Sequence, residues 1–181
     1  MRLSGVGDEI DPELVAFCHA EWPRLVGSLT LYTSERDLAE DLAQETLIRV
    51  CEHWSEVQHA RSRSAWSHRV AFNLAKSQFR RRAIQRRLRR HESAESITRD
   101  HDTALCIAVR AAVAALPETQ RRALVLRYFA DLSVRQVAAL MDCPVNTVKT
   151  HTSRALVALR DAGLGADDAV DPERLAAGGA A

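Results

Sequence analysis

The chain has 181 residues, and 46% of them are hydrophobic, which is enough to form one globular domain or two small ones. Aromatic residues make up only 5% of the chain, and Gly and Pro are few, while Ala, Leu and Arg are abundant; this composition predicts an all-α fold. No apolar run approaches the length that spans a bilayer, and the acidic N-terminus does not resemble a signal peptide. We therefore expect a cytoplasmic protein without a membrane partner.

Charge is unevenly distributed along the chain, although the formal net charge is only +1. Residues 1–60 contain 12 acids and 4 bases (−8), residues 61–92 contain 1 acid and 11 bases (+10), and residues 93–181 contain 11 acids and 10 bases (−1). This separation predicts one acidic surface for a basic or polar protein partner and one basic surface for a polyanion.

Hydrophobic periodicity predicts two blocks of helices. Helices are expected over residues 12–31, 34–54 and 64–90, and then over 104–116 and 118–129 ahead of a helix-turn-helix. Residues 91–103 are polar and lack an apolar stripe, which predicts a flexible linker, and the tail over 165–181 is expected to be loosely ordered. We therefore predict two small helical domains, at 10–90 and 104–164, of which the second is the helix-turn-helix domain.

The second predicted helix divides into an apolar face and an acidic face. Its inward positions are Leu42, Ala43, Thr46, Leu47 and Val50. Its outward positions, the acidic stripe, are Asp37, Asp41, Gln44, Glu45 and Ile48. An exposed isoleucine ringed by acids indicates a docking face for a partner helix, and a solvated polar face is the alternative.

The third predicted helix interleaves aromatic and cationic residues at steps of three and four. The set is Trp66, Arg69, Phe72, Asn73, Lys76, Phe79 and Arg80. This mixture suits opened DNA, because aromatic rings stack on bases while arginines hold the backbone. We expect Phe72 and one of the tryptophans to be core residues. The arginine run cannot be wholly buried, since its guanidinium groups repel one another unless an anion is near; it comprises Arg80, Arg81, Arg82, Arg86, Arg87, Arg89 and Arg90.

The helix-turn-helix carries clear start and stop signals. Ser133 and Gln136 have capping-box spacing, Leu132 and Val137 are placed to form a hydrophobic staple, and residues 142–144 break the first helix. In the second helix, Val145, Val148, Ala155, Leu156 and Leu159 are expected to face inward. The opposite face, the recognition face, has donors and acceptors suited to phosphates and base edges: Asn146, Thr147, Lys149, Thr150, Ser153 and Arg154. An ordinary solvated helix hairpin is the alternative.

The cysteines show no metal-binding pattern. Cys18, Cys51, Cys106 and Cys143 lack CxxC or zinc-ligand spacing, and a reducing compartment disfavours disulfides. We expect each to be a small buried hydrophobic residue, with no metal and no cofactor. A site formed by the Cys18-His19 and Cys51-x-His53 segments is a disfavoured alternative, since the spacing does not fix four ligands around one ion.

Four motifs in order resemble those of the extracytoplasmic-function subfamily of the sigma-70-type RNA polymerase sigma factors, over about residues 17–164. Residues 39–45 resemble the polymerase-binding helix, and residues 66–73 with Arg80-Arg81 resemble the −10 segment. Leu116-Pro117 with Arg121 resembles the start of the C-terminal domain, and residues 147–160 resemble the −35 recognition helix. The helix-turn-helix is similar to that of an actinobacterial subgroup, the SigE-like factors.

The resemblance implies roles for individual residues. It makes residues 10–90 sigma region 2 and residues 104–164 region 4. Polymerase-binding positions would be Asp41, Gln44, Glu45 and Ile48, and the loop over residues 57–63 would capture a flipped −10 base. Residues for −10 DNA would be Trp66, Arg69, Asn73, Lys76, Arg80 and Arg81. Those for −35 DNA would be Asn146, Thr147, Lys149, Thr150, His151, Ser153 and Arg154.

Two positions depart from the family pattern: Gln136 replaces the usual Glu, and His151 stands where Arg is frequent. Gln136 preserves the cap, while His151 offers a weaker phosphate contact that strengthens at low pH.

The combined prediction is a sigma factor that binds core RNA polymerase and promoter DNA, has an anti-sigma factor as a further candidate partner, and performs no covalent chemistry itself. It would read −35 DNA as a duplex and −10 DNA as an opened strand. The main alternative is a helix-turn-helix activator or repressor that does not bind core polymerase. A second alternative is an enzyme that uses a His/Cys pair, although the sequence contains no phosphate loop, nucleophile elbow or HExxH motif.

Overall fold

The structure, a computed structural model, describes residues 11–88 and 104–164. All of the regular secondary structure within these ranges is helical, which confirms the predicted all-α class. The helices are α1 (Pro12–Thr33), α2 (Arg36–Glu52), α3 (Trp54–Val57), α4 (Arg63–Leu88), α5 (Ala104–Ala115), α6 (Glu118–Tyr128), α7 (Val134–Met141) and α8 (Val145–Asp161). None of them is both long enough and apolar enough to cross a membrane. The predicted linker 91–103 and tail 165–181 lie outside the described residues.

Helices α1 and α2 form an antiparallel hairpin. The Asp11 side chain caps α1 by accepting a hydrogen bond from the Glu13 backbone N–H at 2.8 Å, and Pro12 occupies the first turn. The helix ends at Ser34, which adopts a left-handed conformation with φ of 63°. Helix α4 packs across the hairpin, where the Tyr32 and Phe72 ring centroids lie 4.8 Å apart. This packing forms the core of the first domain.

The second domain is built on the capping box expected from the sequence. The Gln136 backbone N–H donates to Ser133 Oγ at 3.3 Å, and the Ser133 backbone N–H donates to Gln136 Oε1 at 2.7 Å. Leu132 and Val137 are both buried, as a hydrophobic staple requires. Helix α7 ends at Asp142 in a left-handed conformation, and α8 starts directly after Pro144. The sequence thus predicted both boundaries of the helix-turn-helix.

The two domains pack against each other. Tyr32 Oη at the end of α1 donates to Glu118 Oε1 at 2.6 Å, and Arg121 Nη1 donates to the Tyr32 carbonyl at 3.1 Å. One continuous hydrophobic core includes Leu29 of α1 and Val113 of α5. Burial raises the pKa of the Tyr32 hydroxyl, and its hydrogen bond to the Glu118 carboxylate raises it further. The two helical domains therefore share an apolar contact in this structure.

Some local expectations were wrong. The second helix ends at Glu52, and a separate short helix, α3, follows it. Val145 is 37% exposed instead of facing inward, because it is the first residue of α8, where solvent reaches the end of the helix. Cys51 is exposed, and Cys18 and Cys143 are half-buried instead of buried. The Cys106 side chain lies outside the described residues.

Candidate functional site

The acidic stripe on α2 faces solvent along its whole length. Asp37, Asp41, Gln44, Glu45 and Ile48 are all exposed, and Ile48 keeps 48% of its surface accessible. An i,i+4 ion pair joins Glu45 Oε1 to Arg49 Nη2 at 3.0 Å and partly offsets the charge of Glu45. The predicted division of this helix into two faces is confirmed, and it leaves an apolar side chain within an acidic surface.

The buried side of α2 holds this stripe outward. Leu42, Ala43, Thr46 and Val50 are buried, and Leu47 is half-buried. The Thr46 hydroxyl donates to the Leu42 carbonyl at 2.7 Å, so that its polar group is satisfied inside the core. If α2 were rotated about its axis so that the acidic stripe faced the core, its carboxylates would lose their hydration, which costs too much free energy. The stripe is therefore held toward solvent.

Helix α4 presents a second surface, which is polar and cationic. Arg69, Asn73, Lys76 and Arg80 recur at steps of four, three and four, and all are exposed, as is Arg81; these five residues are the basic face. Arg82 belongs to the same arginine run but forms an ion pair with Glu35 beside the turn between α1 and α2. Arg86 and the later arginines of the run have no described side chains.

The aromatic residues of α4 are mostly turned to the core. Phe72 is fully buried, as expected, and Phe79 is half-buried with its ring centroid 5.5 Å from that of Tyr32. Trp66 is half-buried against a small cluster of Val50, Trp54 and Val57. The two phenylalanines of the predicted set are therefore not base-stacking groups, and only the accessible part of Trp66 remains available for that role.

A buried polar network fixes α4 against α1, and sequence analysis missed it. Glu21 Oε1 accepts from Ser64 Oγ at 2.7 Å and lies 3.2 Å from His68 Nδ1. On the other side of the ring, His68 Nε2 lies 3.3 Å from Ser28 Oγ. Burial alone would raise the pKa of Glu21, but the hydrogen bonds from His68 and Ser64, together with the charges of His68 and Arg24, hold it below its usual value.

The loop before α4 is anchored at both ends. Val57 is fully buried, and Arg63 Nη1 pairs with Glu13 Oε1 at 2.8 Å. The Arg63 guanidinium also lies 5.1 Å from the centroid of the Trp54 ring and donates from Nη2 to the Gln58 carbonyl at 3.2 Å. These contacts hold residues 58–62 in a defined position beside the start of α4.

The recognition face on α8 is largely confirmed as an exposed polar surface. Asn146, Lys149, Thr150, Ser153 and Arg154 are exposed, and Thr147 and His151 are half-buried. The Thr150 hydroxyl donates to the Asn146 carbonyl at 2.9 Å, which leaves its oxygen lone pairs for an external donor. His151 Nδ1 is buried and has no hydrogen-bond partner among the described residues, so only the rest of the ring can reach a ligand.

Two arginines of α6 hold the helix-turn-helix in place, and sequence analysis did not identify them. Arg122 is only 7% exposed, and its Nη2 donates to the Leu140 carbonyl at 3.2 Å in the last turn of α7. Arg127 Nη1 donates to the Leu132 carbonyl just before α7. Both arginines donate to backbone carbonyls, and they fix α7 at both ends.

Comparison with known proteins gives two family matches, one in each domain. The description "Sigma-70 region 2" matches residues 19–85, and "Sigma-70, region 4" matches residues 106–159. The ECF RNA polymerase sigma-E factor of Haemophilus influenzae is 33% identical over 152 residues, which covers 73% of this chain and 77% of that protein. An uncharacterized protein of Rhizobium meliloti is 32% identical over 171 residues, covering 86% of this chain but only 40% of that longer protein.

A solved structure shows the same fold. It is the sigma factor RpoE from Bartonella quintana in complex with the anti-sigma factor NepR, with a TM-score of 0.73 and 23% sequence identity. The match covers 84% of this chain and 97% of the Bartonella chain.

Proposed function

Because the chain belongs to the extracytoplasmic-function RNA polymerase sigma factors, we propose that it binds core RNA polymerase through α2 and reads −10 and −35 promoter DNA through α4 and α8. Residues 10–90 act as region 2 and residues 104–164 as region 4. One observation carries the proposal: the acidic stripe is exposed on α2, inside the segment that matches region 2. A helix-turn-helix repressor or activator needs α8 but has no need of that surface, and is therefore not favoured.

Polymerase docking follows from the chemistry of the stripe. Asp41 and Glu45 offer carboxylates to basic groups of a partner, Gln44 supplies both a donor and an acceptor, and Ile48 supplies apolar area at the same surface. An apolar side chain surrounded by polar groups is the usual composition of an interface centre with its rim. The core polymerase surface that binds here should accordingly be a helical element with basic groups around an apolar position.

Capture of −10 DNA is assigned to the basic face of α4. Arg69, Lys76, Arg80 and Arg81 can neutralise phosphates, and the Asn73 amide can donate to and accept from one base edge. Trp66 contributes its accessible edge beside the anchored loop 58–62. Cationic contacts dominate this surface, so binding of the opened strand should depend strongly on salt.

Reading of −35 DNA is assigned to the recognition face of α8. Lys149 and Arg154 are its cationic donors, and Thr150 and Ser153 lie on the same exposed side. An α-helix fits the major groove, where each base pair has a distinct pattern of donors and acceptors. The position of α8 as the second helix of a helix-turn-helix matches that geometry.

The proposal also covers the reaction, the cellular location and the partners of the protein. The chain performs no covalent chemistry, and phosphodiester bonds are formed by the polymerase. It acts in the cytoplasm, and an anti-sigma factor is a candidate partner, because the Bartonella sigma factor with this fold was solved in such a complex. Membership of the actinobacterial SigE-like subgroup stays a prediction.

A charge-reversal experiment tests the docking surface. Asp41→Arg and Glu45→Arg remove complementary contacts and add repulsion, so affinity for core polymerase should fall at least about tenfold, or ~1.4 kcal/mol, with unchanged circular dichroism. Asp161→Arg reverses an exposed acid at the end of α8 and should bind core normally. Unaltered core affinity of both stripe variants in titration would refute this assignment.

A further inference from the structure

Cys18 and Cys51 lie close together at the interface of α1 and α2, although sequence analysis expected separate buried cysteines and disfavoured a metal site that joined these two segments. Cys18 lies fifteen residues before the end of α1 at Thr33, and Cys51 lies fifteen residues after the start of α2 at Arg36. Since the helices are antiparallel and joined by a two-residue turn, these positions stand at the same level of the hairpin. Cys18 also packs against the cluster that contains Val50, the residue before Cys51, so the two thiols are neighbours.

The two thiols differ in accessibility. Cys51 is exposed, whereas Cys18 is half-buried and packs against the cluster of Val50, Trp54 and Val57. Burial, followed by the neighbouring Cys51 thiol, raises the pKa of Cys18 to about 11. A small oxidant from solvent therefore reaches the exposed Cys51 thiol first. The Cys18 thiol is less accessible and stays protonated.

We propose that Cys18 and Cys51 form a redox-active dithiol, which hydrogen peroxide oxidises reversibly to a disulfide between α1 and α2. In the first step the Cys51 thiolate attacks one peroxide oxygen, the O–O bond breaks, and the departing hydroxide takes up a proton to give water and a Cys51 sulfenic acid. In the second step Cys18 Sγ attacks Cys51 Sγ, and the released hydroxide combines with the Cys18 proton as a second water. Two thiols lose two electrons and two protons, and one peroxide becomes two waters.

The position of this pair gives the disulfide a regulatory consequence, which rests on the proposed function. Cys51 follows Ile48 by three residues and extends the line of the acidic stripe along α2. A disulfide requires the sulfur atoms to be about 2.05 Å apart, closer than two thiols that are not bonded to each other can lie. Its formation therefore draws the end of α2 toward α1 and displaces the Ile48 end of the stripe. Intracellular disulfides that are transient in this way serve as redox signals.

Peptide mapping of the full chain tests the chemistry. The reduced protein is treated with hydrogen peroxide, remaining thiols are alkylated, and the digest is analysed by mass spectrometry without reduction. We expect the Cys18 and Cys51 peptides to be linked, and dithiothreitol to release them. Cys143→Ser, the matched control, should keep the link, while Cys18→Ser should accumulate a sulfenic acid at Cys51 that dimedone traps. Oxidation of Cys51 to the sulfinic acid with Cys18 still free, or a link to another cysteine, would overturn the proposal.

Titration with core polymerase tests the consequence. Oxidised protein should bind core at least about threefold more weakly than reduced protein, and the Cys51→Ser variant should lose this response to peroxide. Equal binding of the two forms would overturn the regulatory part. Failure of the reduced protein to bind core would instead contradict the proposed function, and the mapped disulfide would stand unaffected.

Discussion

The Glu21 carboxylate and the His68 imidazole lie 3.2 Å apart in the interior, although 47 residues separate them in the chain. Glu21 is 3% exposed and His68 is fully buried. His68 Nδ1 faces two acceptors, Glu21 Oε1 and the Ser64 carbonyl at 3.0 Å, so Nδ1 carries a proton. Removing either partner would leave the other polar group buried without its hydrogen bond, which is costly. The pair therefore holds α4, with its basic face, against α1.

The first prediction concerns the pH dependence of stability. The pKa of Glu21 in the folded state lies below its ordinary value of 4.5, so the folded protein takes up this proton less readily than the unfolded chain. The stabilisation is therefore complete well above pH 4.5 and is lost as the pH falls through the folded pKa. Glu21→Gln should lower the free energy of unfolding by about 1–3 kcal/mol near pH 7, and by progressively less as the pH falls below 4.5.

Urea denaturation across this pH range checks the prediction. Glu40→Gln is a suitable control, because Glu40 forms a partly exposed i,i+4 pair with Arg36, and its loss should change stability by less than about 0.5 kcal/mol. A Glu21→Gln variant as stable as the native protein near pH 7 would show that the buried pair contributes nothing.

The second prediction concerns promoter opening by the basic face. Asn73→Ala, or Arg80→Ala combined with Arg81→Ala, should weaken capture of the opened −10 strand and leave core binding intact, because these exposed groups supply base-edge and backbone contacts. Permanganate footprinting of open complexes measures the effect. Gln85→Ala, an exposed change on the same helix outside the basic face, should open promoters normally. Normal opening by the other variants would assign the basic face to another role.

The third prediction concerns −35 reading. Lys149→Ala and Arg154→Ala should each weaken −35 binding by ~1–3 kcal/mol, and at least one should change which −35 sequences are preferred. A lost phosphate contact weakens all sequences alike and reduces the salt slope by about one, whereas a lost base contact relaxes one position. Binding of the full chain to a −35 library at several salt concentrations separates these cases.

The matched control for α8 is Arg160→Ala, an exposed cation near the end of that helix, which should retain the native sequence preference. If neither Lys149→Ala nor Arg154→Ala altered affinity or preference while the protein stayed helical, α8 would not be the −35 reader.

The fourth prediction concerns the contact between the domains. Tyr32→Phe keeps the ring but removes the hydroxyl that donates to Glu118, so the free energy of unfolding should fall by about 1 kcal/mol. Hydrogen exchange should also become faster at the start of α6, where Glu118 lies. Tyr128→Phe, at a half-buried tyrosine of the same helix, is the control and should leave that exchange unchanged. Unchanged exchange in Tyr32→Phe would mean that the apolar contact alone holds the domains together.

Local patterns in the sequence predicted much of this architecture. The capping box of Ser133 and Gln136 and the two faces of α2 depend on residues three or four apart, and such short-range signals are visible in a sequence. Thr152 shows the limit of that approach. Its polar side chain would be expected at the surface, yet Thr152 is buried in α8. Burial is possible because the Thr152 hydroxyl donates to the Val148 carbonyl at 2.8 Å.

Long-range contacts were not predictable in the same way. Glu21 and His68, Tyr32 and Glu118, and the two thiols of Cys18 and Cys51 meet only because of how the helices pack. The spacing of residues within one helix does not predict these contacts. The candidate sites were easier to predict from the sequence because each one lies on a single helix. The interactions that position those helices join segments that are distant in the chain.

Run-off transcription with core RNA polymerase from the host, followed by sequencing of the transcript 5′ ends, tests sigma-factor activity itself. We predict transcripts that require both the core enzyme and this protein, with start sites that share one −35 and −10 pair, and loss of these transcripts with Asp41→Arg. Binding of the protein to duplex DNA without any stimulation of core polymerase at those sites would contradict a sigma-factor function and favour an ordinary helix-turn-helix regulator.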